Sequence, residues 1–75
     1  MEKSEISFDV NYGWIWELEN EGELEMQDKI YRYTKQERLE AAKDYSVRHR
    51  PSKIEIYRKD GKLQRTITYE VKDGK

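Results

Sequence analysis

The chain carries one histidine and no cysteine, so little catalytic chemistry is open to it. His49 lies near Ser46 and Ser52, and a nucleophilic site needs a nucleophile, a base and an orienting group. A hydroxyl beside a helix end is commonplace, however, and the trio does not by itself make a site. A zinc site would have to combine His49 with carboxylates alone; a histidine at the end of a helix, on the rim of a core, is the simpler reading. The carboxylate pairs Glu17/Glu19 and Glu23/Glu25 fall on strands or turns that read as solvated. A general acid needs an apolar pocket to raise its pKa, and a two-layer domain of this size has little room for one. Gly13, Gly22, Gly61 and Gly74 each stand alone in turns, so there is no glycine-rich phosphate loop. The expectation is therefore a non-catalytic protein, with no cofactor and no metal.

Binding is the chemistry that remains. Arg48, His49, Arg50 and Lys53 form a short basic cluster, and Arg58, Lys59 and Lys62 surround a turn. If both groups lie on one edge, Arg48, Arg50, Lys53, Arg58, Lys59 and Lys62 form a candidate nucleic-acid patch. Arg48 and Arg50 can equally answer the negative end of a helix. Tyr31, Tyr33 and Tyr57 share the parity opposite Ile30 and Ile56, which makes them a candidate protein-binding face. The sequence signatures of the common RNA-binding folds are absent.

The segment that must position these residues runs from Thr34 to Tyr69. Thr34 is a good N-cap, and Glu37 completes a capping box. Leu39, Ala41, Ala42, Tyr45, Ser46 and His49 fall on one side of the helix predicted over 34–49. Arg38 is the mismatch in that arc, expected to lay its stem on the sheet edge and its guanidinium in water. Pro51 ends the helix near 47–50. Beyond it, Ile54, Ile56, Leu63, Ile67, Tyr69 and Val71 alternate with polar residues, as in half-buried strands. Asp60-Gly61 between them predicts a hairpin with a tight primed turn, and Arg65 on the apolar parity suggests a rim position or a bulge. Upstream, Ile6, Phe8 and Val10 define one strand, and Trp14, Trp16 and Leu18 a second across Asn11-Tyr12-Gly13. A third covers 24–33 after the turn at 20–23, with a bulge expected near Asp28.

Seventy-five residues make one domain, 1–75, with an ordered core of about 5–71 and a frayed tail at 72–75. Four residues in ten are charged, yet aromatics make up 12%, too many for a disordered chain. No apolar run approaches a membrane span and no signal peptide is evident, so a cytosolic compartment is the default. Residues 1–28 carry nine acids against Lys3, whereas residues 29–75 carry fourteen bases against seven acids. The expectation is that the halves interleave, with the acidic strands of 17–25 lying beside Lys29, Arg32 and the Asp60 hairpin.

Gly13-Trp14, Thr34 with Glu37-Leu39-Ala41-Ala42, Ile54-Ile56, Asp60-Gly61-Lys62-Leu63 and Tyr69 together give the chain a resemblance over residues 6–70. It resembles a family of small bacterial and phage domains of unknown function. The resemblance implies an antiparallel sheet with one helix across it and adds no chemistry. The fold expected is α+β, an antiparallel sheet of four to five strands with one helix on one face, in the order β-β-β-α-β-β. The function expected is a protein-interaction module that binds a protein partner or a second copy of itself, or a phage-type inhibitor of a host protein. The alternative is a nucleic-acid binder using the basic C-terminal half, disfavoured by the net charge of −1. Neither a membrane nor a small-molecule substrate is implied.

Overall fold

A computed structural model describes residues 1–71, with the side chains of residues 30–32 outside that description; the frayed tail expected at 72–75 therefore falls outside it. The elements are β1 (Glu2–Asp9), β2 (Gly13–Asn20), β3 (Glu23–Tyr33), α1 (Lys35–Arg48), β4 (Ser52–Tyr57) and β5 (Leu63–Tyr69). The order β-β-β-α-β-β is as expected, and one five-stranded sheet runs β3-β2-β1-β4-β5.

The sheet is mixed, which corrects the antiparallel expectation: β1 and β4 are parallel, with Ser4 opposite Ile54 and Ile6 opposite Ile56. The cause is the helix. Two hairpins leave β3 running in the same sense as β1, and α1 then carries the chain back to where β3 began. Because the helix returns the chain to the end of the sheet where β3 began, β4 sets out in the same sense as β3 and β1, the crossover that parallel neighbours require.

The capping box forms as read. The Thr34 hydroxyl accepts from the Glu37 amide at 3.1 Å, and the Glu37 carboxylate accepts from the Thr34 amide at 2.7 Å. At the other end the chain turns through a cis Arg50–Pro51 peptide into β4. The helix packs on β4, β1 and β2. Ala42 is fully buried against Ile6, Ile54 and Ile56, with Trp14, Trp16, Leu39, Ile67 and Tyr69 around them. Ala41 and His49, expected on the buried arc, are exposed.

The turns distribute differently from the sequence expectation. Positive φ at two successive residues, the primed geometry, occurs at Glu21 and Gly22 (53° and 84°). The β4–β5 connection has positive φ at Gly61 alone. There the Gly61 amide donates to the Arg58 carbonyl and the Arg58 amide to the Lys62 carbonyl, both at 2.9 Å. That is a three-residue loop closed by a bulge, the other common hairpin solution for a glycine at this place.

Three register shifts decide which face each side chain takes. Between Leu18 and Glu19 the ladder slips, so Leu24 pairs with Glu19 on the face away from the helix and is 58% exposed. Between Ile56 and Tyr57 it slips again, beside Arg65, and Leu63 comes opposite Tyr57. The third shift, between Trp14 and Trp16, lies opposite Asp28–Tyr33, where a bulge was anticipated. Val10 is exposed because it belongs to the first turn rather than to a strand.

Candidate interaction groove

The tyrosines do not form one face. Tyr57 lies away from the helix, its hydroxyl donating to Glu55 at 3.0 Å. Tyr33, shifted by the bulge, pairs with Trp14 on the helix side and lies under Arg38, whose guanidinium carbon is 4.5 Å from the ring centre. The side chain of Tyr31 is outside the described residues.

Arg38 is also placed differently from the reading of the sequence. Its side chain is 3% exposed and fills the gap that the bulge opens. Nε donates to the Trp14 carbonyl and Nη2 to the Asp28 carbonyl, both at 2.9 Å, and Nη1 is 3.1 Å from the Asp28 carboxylate. A register shift strands backbone carbonyls, and buried carbonyls require donors. The planar fork of arginine supplies several at once. A cation on an otherwise apolar helix arc beside a bulge signal was the available clue.

The sheet face opposite the helix is a charge network. Lys3 Nζ is 2.8 Å from Glu19, 3.0 Å from Glu5 and 3.6 Å from Glu55, and Lys53 is 3.7 Å from Glu55. Hydrogen bonds to Glu19 and then Glu5 hold the Lys3 ammonium pKa well above the ordinary lysine value. Burial, followed by the bond to Glu55, raises the Tyr57 phenol. Gln27 donates to Glu17 on the same face. The acidic and basic halves thus do meet, but through Lys3 and Lys53. The acidic strands 17–25 do not lie beside the Asp60 hairpin, because β1 and β4 separate them.

The basic residues fall into two groups. Arg48 pairs with Asp44 at 2.7 Å. Arg50 donates to the Val47 and Glu70 carbonyls, both at 3.2 Å, over the Tyr69 ring. Arg58 pairs with Asp60 at 2.8 Å, and Lys59 lies over the Phe8 ring; Lys62 is exposed beside them. The whole of β4 stands between the groups, so Lys53 and Arg58 are about 17 Å apart at the strand rise. The six residues do not make a continuous patch.

The serine–histidine grouping is likewise dispersed. The Ser52 hydroxyl donates to the Ser46 carbonyl at 2.9 Å, and His49 stacks on Tyr45 with Nδ1 2.8 Å from the Tyr45 carbonyl. The buried Ser46 hydroxyl has no hydrogen-bond partner among the described residues. Among the described residues, no group of histidines and carboxylates is arranged to hold a metal, and no helix is long and apolar enough to cross a membrane.

What the helix leaves uncovered is β5. A groove of about 490 Å³ runs between α1 and that strand. Leu39 and Ile56 form its apolar floor; Lys35 and Lys43 stand on the helix side and Gln64 and Arg65 on the strand side. Lys35 is held by a hydrogen bond to Gln64 and lies 4.9 Å from the Trp14 ring centre. Lys43 and Arg65 make no ion pair among the described residues, and no carboxylate lines the groove. Lys35, Leu39 and Lys43 are spaced i, i+4, i+8, so they form one stripe along the flank of the helix. That stripe was legible in the sequence, but its position over β5 was not. Among the described residues β5 is the last strand of the sheet and presents an edge without a strand beyond it.

No protein-family model matches this chain, and no curated protein or solved structure is significantly similar to it.

Proposed function

We propose that this protein is a small non-catalytic interaction module that takes its partner at the β5 edge and the adjoining groove. The observation that carries the reading is that α1 packs mainly on β4, β1 and β2, whereas β5 is largely exposed and joined to the helix by the Lys35–Gln64 hydrogen bond. An edge strand with uncovered side chains beside an apolar-floored cleft is the usual receptor for an added strand. The network around Lys3 makes the opposite face a poorer candidate, since both of its lysines are already paired within the chain. The separation of the basic residues along β4 weighs against the nucleic-acid reading. A phage-type inhibitor of a host protein would use the same edge.

The test is selection from a displayed library of random short peptides, followed by amide-shift mapping of the enriched sequences on labelled protein. Enriched binders that perturb β5 and the first half of α1 support the module. Failure to enrich any sequence, or perturbation confined to the Lys3 face, overturns it.

A further inference from the structure

We infer that the partner segment is an extended acidic peptide in which carboxylates alternate with aliphatic side chains, added as a sixth strand beside β5. The inference rests on the interaction-module reading and specifies its ligand. Three features of the groove select this chemistry. Lys35, Lys43 and Arg65 converge on it with no lining carboxylate, although the whole chain carries one more acid than base. The positive charge is therefore local, and a ligand with carboxylates on one face finds it unopposed. Leu39 and Ile56 supply an apolar floor between the cations, a surface that suits an aliphatic side chain and offers nothing to a sugar-phosphate backbone. The free edge of β5 supplies backbone hydrogen bonds at the strand repeat, which sets the alternation of the ligand's side chains.

The other edge of the molecule explains why such a ligand would not be captured at random. β3 carries Glu23 and Glu25 at its start, with Lys29 and Arg32 only toward its end, so an acidic strand is disfavoured along its first half and preferred at β5. Charge thereby fixes which edge is extended, a use of repulsion to set specificity.

The probe is a synthetic peptide of about eight residues, a typical strand length, alternating glutamate and valine. A lysine–valine peptide, a copy N-methylated on alternate residues along one edge, and a single-stranded oligonucleotide are the comparators. The glutamate peptide should shift amides of β5 and of α1 around Lys35 to Lys43. Lys43→Glu and Arg65→Glu should each weaken it by about tenfold, the scale expected for losing one charge contact. Both positions are on the surface, and an unchanged melting curve confirms that each variant is folded. N-methylation should abolish binding if the ladder forms. Equal binding of the lysine peptide, or tighter binding of the oligonucleotide that the same two variants weaken, would overturn the inference. Library binders that map to β5 without acidic residues would overturn the ligand chemistry while leaving the module intact. Sedimentation of the protein alone covers the remaining occupant: a dimer abolished by Arg65→Glu would mean that the acidic β3 of a second copy takes the place of the peptide, against the inference.

Discussion

The two edges of the sheet are built in opposite ways. β3 is long, acidic at its start and broken by two register shifts, and Arg38 ties it to the helix from a buried position. β5 is short, carries Arg65 as its one charged residue, and is tied to α1 by an exposed Lys35–Gln64 hydrogen bond rather than by a buried side chain. At one edge a cation is buried to complete the fold; at the other, cations stand beside an open cleft. Position in the sheet alone does not make an edge available: the same residue type closes one edge and decorates the other.

The largest effect that would sharpen this contrast is at Arg38. Arg38→Ala leaves the Trp14 and Asp28 carbonyls without their donor; two unsatisfied acceptors cost about 3 kcal/mol together, and the Asp28 carboxylate, a third exposed, adds little. The melting temperature should fall by roughly 15 °C for a domain of this size. Hydrogen exchange should rise first in β3; loss of protection in β5 ahead of β3 would contradict the assignment.

A smaller loss is expected at Leu39, which is half-buried and forms the groove floor. Leu39→Ala should cost about 2 kcal/mol, at the low end for truncating a leucine because the site is open on one side. A change of melting temperature within error would show that the helix does not depend on that face.

Alkaline pH tests the network between the edges. Lys3 and the tyrosines Tyr45 and Tyr57 all have pKa values raised by the fold. For Tyr45 burial is the main cause, with Glu2 next. A lysine held protonated adds stability that is complete below its ordinary value of 10.5 and is lost as pH rises through the folded value. A buried tyrosine acts with the same sign: above about 10.0 the unfolded chain ionises and the folded one resists. Stability should therefore be flat from neutral pH to about pH 9 and fall above pH 10. Lys3→Met should make the fall shallower in a thermal-melt series, and a fall unchanged by that substitution would remove Lys3 from the account.

The smallest expected effect is a gain. Ser46→Ala removes a buried hydroxyl without a partner and should stabilise the protein by about 1 kcal/mol. A destabilised variant would show that the hydroxyl is satisfied in solution, most simply by a buried water.

Local chemistry was the legible part of the sequence. Thr34 with Glu37 marked the helix start, Pro51 its end, and Asp60-Gly61 the last hairpin, because each acts within a few residues. Faces were less legible. Strand alternation placed Leu24, Leu63 and Tyr33 wrongly, since each lies beyond a register shift that exchanges the two sides of the sheet. Arg38 was misplaced for a related reason: the carbonyls it serves are created by the bulge and exist only once β2 and β3 have paired. The groove could not be read at all without knowing that β4 returns beside β1, which leaves β5 at the margin of the helix.

The parallel pairing has a further consequence, in time rather than in space. Glu2 pairs with Ser52 and Ile6 with Ile56, a separation of 50 residues, and β1 is the middle strand of the sheet. Within this chain β1 is thus made before either of the strands that flank it in the finished sheet, and β4 is made well after it. Contacts this distant in sequence slow folding, because the connecting chain must be ordered before they form. Until β4 emerges, the nascent chain exposes one whole side of β1 as an unpaired ladder. In that interval Glu2, Lys3, Glu5 and Asp9 are the charges along the strand itself, the kind of residues that blunt edge-to-edge pairing of an open strand.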